Sequence, residues 1–132
     1  MSKRIKGITI EIDGSTTGLQ KALEDVNKKS NSVTKELRDI DRLLKFSPGN
    51  TELVAQKQRL LAEQIENTSE KLKRLKDAQA DVDKQFAEGK INQTQYDAFQ
   101  REIVETESKL KHFETQLASS QSKLKAFGDS AV

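Results

Sequence analysis

The sequence predicts a mostly α fold, with a short N-terminal β-strand followed by three long helices that form antiparallel coiled-coil hairpins and self-associate. Three observations carry that expectation. Ala, Glu, Lys, Leu and Arg dominate a chain that is 33% hydrophobic and 33% charged, the composition of long helices rather than of one thick core. One proline and six glycines leave few places to break a helix. The apolar residues recur at alternating steps of three and four, which keeps a narrow stripe facing a partner helix.

The strand is expected between Lys3 and Asp13, where Ile8, Ile10 and Ile12 alternate with Thr9 and Glu11 in the period-2 pattern of a half-buried strand. No second strand is legible. Because an unpaired strand leaves its backbone groups unsatisfied, its partner is expected from another copy, another protein or chain missing from this sequence. Ile8, Ile10 and Ile12 are therefore the expected strand-pairing and self-association residues.

Asp13 to Gly18 reads as the turn into the first helix, with Thr17 and Gln20 at capping-box spacing. The stripe then runs through Leu19, Leu23, Val26, Ser30, Val33, Leu37, Ile40 and Leu44, and the helix should end near Phe46. Ser47-Pro48-Gly49-Asn50 breaks it, because proline lacks the amide donor and glycine tolerates turn geometry. Either Ser47 or Asn50 can cap the middle helix. That helix, Asn50 to Glu88, carries Val54, Gln58, Leu61, Ile65, Thr68, Leu72, Leu75, Gln79, Val82 and Phe86 on its stripe. Gly89 suits a helix C-terminus, and Asn92 with Gln95 repeats the capping spacing. The third helix presents Tyr96, Phe99, Ile103, Thr106, Leu110, Phe113, Leu117, Ser120, Leu124 and Phe127. The organisation is thus one domain at most: strand and turn over 1–14, a first helix over 15–46, and a helical hairpin over 50–128 with its break near 88–92.

Short breaks between long helices imply antiparallel neighbours. Two registers suit the second and third helices, one setting Leu75 opposite Ile103 and the other opposite Leu110; the first centres better on Gly89. The only second apolar stripe on the middle helix is Leu53 and Leu60, so the first helix is expected to dock there through Leu37, Ile40 and Leu44. Polar stripe residues, Ser30, Gln58, Thr68, Gln79, Thr106 and Ser120, weaken packing but help to fix register. Glu24–Lys28, Asp25–Lys29, Asp41–Lys45, Glu70–Arg74, Glu105–Lys109 and Glu107–Lys111 are expected as local ion pairs worth ~0.2–0.5 kcal/mol each.

No chemistry emerges from the residues. A net charge of +2 with both signs interspersed is not the clustered basic footprint of a nucleic-acid binder. Lys71, Lys73, Arg74 and Lys76 are followed at once by Asp77, Asp81 and Asp83, with no aromatic interleaved for base stacking; they read as a solvated face. The chain has no cysteine and one histidine, and His112 lies between stripe residues, pointing outward. There is no phosphate loop, since Gly14 and Gly18 have neither nucleotide-binding spacing. No run approaches the ~18 apolar residues of a membrane span. Phe86, Phe99, Phe113 and Phe127 fall on the stripes as core. The segment is expected to be no enzyme, with no catalytic, cofactor or metal residues, no nucleic-acid partner and no membrane contact.

One resemblance adds a function. Ile8-Thr9-Ile10-Glu11-Ile12-Asp13-Gly14-Ser15-Thr16-Thr17-Gly18-Leu19-Gln20-Lys21-Ala22-Leu23 resembles the N-terminal opening of tail tape measure proteins of long-tailed bacteriophages and prophages of Gram-positive hosts. Leu43-Leu44-Lys45-Phe46-Ser47-Pro48-Gly49-Asn50-Thr51-Glu52-Leu53 and the Gln/Lys-rich helix after it are similar to the same family. The resemblance implies a structural virion protein. Such a chain occupies the tail tube lumen, sets tail length, and has the tail tube protein, tail assembly chaperones and its own copies as partners. It would reside in the host cytoplasm during assembly and then in the phage tail. Family members run to many hundreds of residues, so this chain is expected to be an N-terminal fragment. Pro48, Gly49 and Gly89 are its expected hinges. Two other classes share the helical pattern: a small secreted hairpin of the type VII secretion kind, whose Trp-x-Gly turn is missing here, and a cytoplasmic coiled-coil adaptor.

Overall fold

The structure is a computed structural model that describes residues 5–130, with side chains through residue 123. Its elements are β1 (Thr9–Ile12), β2 (Ser15–Gly18), α1 (Leu19–Ala22), α2 (Glu24–Phe46), α3 (Thr51–Ala87) and α4 (Gln93–Ser130). The long helices pack side by side, with α3 in the centre, flanked by α2 and α4.

The strand partner lies within the chain. β1 and β2 form an antiparallel hairpin that pairs Ile10 with Thr17 and Ile12 with Ser15. Asp13 and Gly14, at φ +51° and +80°, supply the two positive-φ residues of a type I′ turn, whose twist matches the strands it joins. The expectation of an external partner is therefore corrected, as is a first helix beginning at 15. β2 bears no buried residue, so it leaves no periodic trace. The Thr17–Gln20 cap is also corrected. Gly18 is the N-cap of α1 without a side-chain bond, because Thr17 is held in the hairpin.

Ile8 and Ile10 turn into the chain's own core; Ile12, 46% exposed, stays at the surface. The outer edge of β1 is met by α3. The Gln85 carboxamide accepts from the Thr9 amide at 3.5 Å and donates to the Thr9 carbonyl. The Asp81 carboxylate accepts from the Glu11 amide at 3.3 Å. Side chains thus occupy positions where a neighbouring strand would pair, which covers an edge otherwise open to addition.

The first helix is nearly continuous. Leu23 joins α1 to α2, and hydrogen bonds from the Leu23 amide to the Leu19 carbonyl and from the Asn27 amide to the Leu23 carbonyl run through the join. Of the two candidate caps for α3, Asn50 serves: its Oδ1 accepts from the Leu53 amide at 3.0 Å. α3 ends with Gly89 at φ +74°, where the Gly89 and Lys90 amides donate to the Phe86 and Gln85 carbonyls in a Schellman pattern. α4 opens on the reciprocal box expected from sequence. The Asn92 amide donates to Gln95 Oε1 at 2.9 Å and the Gln95 amide to Asn92 Oδ1 at 2.8 Å. Asn92→Ala should destabilise the fold by ~1 kcal/mol, read as a lower urea midpoint at an unchanged slope.

Across the α3–α4 hairpin, Gln100 donates to Gln79 at 3.2 Å and the Tyr96 hydroxyl to Asp83 at 2.9 Å. That spacing places Leu75 level with Ile103 rather than Leu110, and both sit in one apolar cluster. The docking of the first helix is broader than expected. It runs antiparallel to α3 along most of its length, from Arg74–Asp25 at one end to Lys57–Asp41 at the other. The α3 surface that receives it includes Ala78, Gln64 and Arg74, too small or too polar to register as an apolar stripe.

Candidate functional site, a polar layer between two apolar cores

The buried side chains fall into two clusters of unequal size. The proximal one joins the hairpin, α1 and the adjoining helix ends: Ile5, Ile8, Ile10, Leu19, Leu23, Val26, Leu75, Ala78, Val82, Ile91, Phe99 and Ile103, with Leu72, Phe86 and Tyr96 against it. The Phe86 and Tyr96 rings lie 4.6 Å apart. The distal cluster is Val33, Leu37 and Leu61, bordered by Leu60, Phe113 and Leu117. Ile40 and Val54 are buried beyond it.

Between the clusters the interior turns polar. Every buried position on α3 between Leu61 and Leu75 is polar, namely Gln64, Asn67 and Thr68; on α4 the one between Ile103 and Phe113 is Thr106. Burying such groups requires partners, and the structure supplies them. Gln64 Nε2 donates to the Ser30 carbonyl and to Thr34 Oγ1, both at 3.1 Å. Thr68 donates to the Gln64 carbonyl at 2.6 Å, and Thr106 to the Glu102 carbonyl at 2.7 Å. Lys71 Nζ lies 3.2 Å from Glu102 Oε2, with side chains 18% and 3% exposed. A groove of about 500 Å³ opens over this layer, lined by Ser30, Thr34, Lys71, Thr106, Lys109 and His112.

Arg74 forms a second polar junction. Its guanidinium donates to the Ala22 carbonyl at 2.8 Å, to both Asp25 oxygens at 2.6 and 3.3 Å, and to Glu70 at 2.8 Å. One side chain thus ties the end of α1 and the first turn of α2 to α3. The Arg74 hydrogen bond holds the Asp25 carboxyl down at about 2, against the ordinary 3.8; Asp25 in turn raises Arg74. Because the folded-state value is the lower one, the contribution is complete above about pH 4 and is lost as pH falls through about 2. Thermal melts should decline across that window, and Asp25→Asn should flatten that part of the decline. The Tyr96 hydroxyl is pushed up, chiefly by its bond to Asp83.

The expected seam residues divide by depth. Leu19, Leu23, Val33, Leu37, Ile40, Leu61, Leu75, Val82, Phe99 and Ile103 are buried. Ile65, Leu72, Phe86, Leu110, Phe113 and Leu117 are half-buried. The side chain of Leu124, like that of Phe127, lies outside the described residues. His112 is exposed, 5.8 Å from the Phe113 ring. Of the expected local ion pairs, Glu24–Lys28, Glu70–Arg74 and Glu105–Lys109 form. Asp25, Asp41 and Glu107 instead reach across to Arg74, Lys57 and Lys76 on α3. Asn67, Glu102, Ala78 and Ile91 are not legible as buried, since they lie off the three-four stripes. Pro48 and Gly49 sit in the α2–α3 turn and Gly89 in the α3–α4 turn.

Among the described residues, no group of three or more His, Cys, Asp or Glu is placed to hold a metal ion, and no helix is long and apolar enough to cross a membrane. Comparison with protein-family models, curated proteins and solved structures finds no match.

Proposed function

We propose that the chain is the N-terminal region of a phage tail tape measure protein, a structural component that helps to set tail length and occupies the tube lumen during assembly. The observation that carries this reading is where the family likeness falls. Ile8 to Leu23 is a strand, turn, strand and helix start that docks on α3, so the resembling stretch is a folded head, not generic coiled coil. Long helices support it as well, since a helix is a fixed ruler at ~1.5 Å per residue.

A lumen admits rods more readily than a side-by-side bundle. The reading therefore includes opening at Pro48-Gly49 and at Gly89, which would convert the hairpins into an extended helical chain. Spin labels on Leu72→Cys and Leu110→Cys report this directly. They should lie close in the free protein and far apart in assembled tails; a distance that stays short in tails removes the hinge. For the function itself, an antiserum against this segment should detect a product of many hundreds of residues that co-purifies with phage tails. In-frame deletions in its helical part should shorten those tails in proportion. A native product of about this chain's 14.9 kDa, absent from tails, overturns the proposal.

A further inference from the structure

We infer that the bundle consists of two cooperative units divided by the polar layer, and that the distal unit opens while the proximal one stays folded. The distal unit comprises α2 from Val33, α3 up to Leu61 and α4 from Phe113. The proximal unit comprises the β-hairpin, α1, the first turn of α2 with Val26, α3 from Leu75 and α4 up to Ile103.

Three features point to the division. Cooperativity is carried by contiguous apolar contact, and here the fully buried apolar side chains stop at Leu61 on one side of α3 and resume at Leu75. The layer between is held by hydrogen bonds whose net contribution is small, because water replaces them when the helices part. The groove between α2 and α4 already exposes this layer to solvent along one side. Second, the clusters are unequal: the proximal one draws on the hairpin and on α1 to α4, whereas the distal one rests on Val33, Leu37 and Leu61. Regions with few buried apolar contacts open at lower free energy than the rest. Third, the turn at the distal end joins α2 to α3 through Ser47–Asn50, leaving Leu43 and Phe46 exposed, Phe46 at 82%. Ile65 and Leu110 are half-buried between the units and belong to neither cluster. They offer partial apolar continuity and set how independent the opening is. Opening would uncover the Val33, Leu37 and Leu61 stripe without disturbing the head, giving the chain an inducible apolar surface that does not depend on the tail reading.

Hydrogen exchange of the full chain, followed by mass spectrometry, tests this. Amides of 37–46, 54–61 and 113–120 should exchange at least about tenfold faster than those of 75–86 and 96–103. Leu61→Ala should accelerate the distal amides by a further tenfold or more and leave the proximal ones within about threefold. Should that variant fail to fold, Leu61→Val and Leu117→Ala provide the same comparison at smaller amplitude. Equal protection in both sets, or equal acceleration of both by a distal substitution, overturns the division.

Discussion

Phe99→Ala is expected to lower stability by about 3–5 kcal/mol, a large part of the ~5–15 kcal/mol that a domain of this kind possesses. Phe99 is fully buried in the proximal cluster, which draws side chains from the β-hairpin, α1, the start of α2, α3 and α4. Truncation removes a ring from the cluster that spans all of these elements, and backbone on several sides would have to move to refill the space. Urea unfolding followed by helical circular dichroism measures it, as a drop in midpoint with little change in slope. Phe46→Ala provides the contrast. The same residue type, 82% exposed at the distal turn, should cost no more than about 0.5 kcal/mol. Similar effects at the two positions would mean that the proximal cluster is not the seat of stability.

The contrast between these two phenylalanines also shows what the sequence can and cannot reveal. Helix ends are legible where local chemistry decides them. Pro48 and Gly49 break the chain, Gly89 ends α3, and Asn92 with Gln95 caps α4, all through bonds within a few residues. The α3–α4 register is legible only down to two choices, because apolar stripes and a short turn suit Leu75 opposite either Ile103 or Leu110, and the structure selects the first. β2 is not legible, since Ser15–Gly18 buries nothing. Its one available signal is Asp13-Gly14 itself, a strong hairpin dipeptide when flanked by strand, which suits a helix entry equally well when no second strand is visible. The polar layer is hidden for a different reason. Gln64, Asn67, Lys71 and Glu102 have the residue types of a solvated face, and only the positions of α2 and α4 determine that they are inside. Asp25 and Asp41 illustrate the same degeneracy, because each has a lysine four residues on and also a cation on α3.

Lys71 and Glu102 provide the sharpest energetic test of that interior. The two ends of the pair are not equivalent: Glu102 is 3% exposed and Lys71 18%. A lysine can turn its amine toward water along the groove, whereas the Glu102 carboxylate is held inside by a short side chain. Lys71→Met should therefore be the costly single change, about 3 kcal/mol, because it withdraws the cation from a buried carboxylate. Glu102→Leu should cost clearly less. The double variant Lys71→Met, Glu102→Leu should recover most of the loss or exceed the parent, since replacing a buried pair by apolar groups of similar volume is often neutral or stabilising. The double-mutant cycle isolates the coupling. Additive single effects, or a cheap Lys71→Met, would mean that the pair is solvated and that the interior between the two clusters is wetter than its burial implies. A double variant more stable than the parent would also link the clusters through continuous apolar contact, so its distal and proximal amides should then exchange more nearly together.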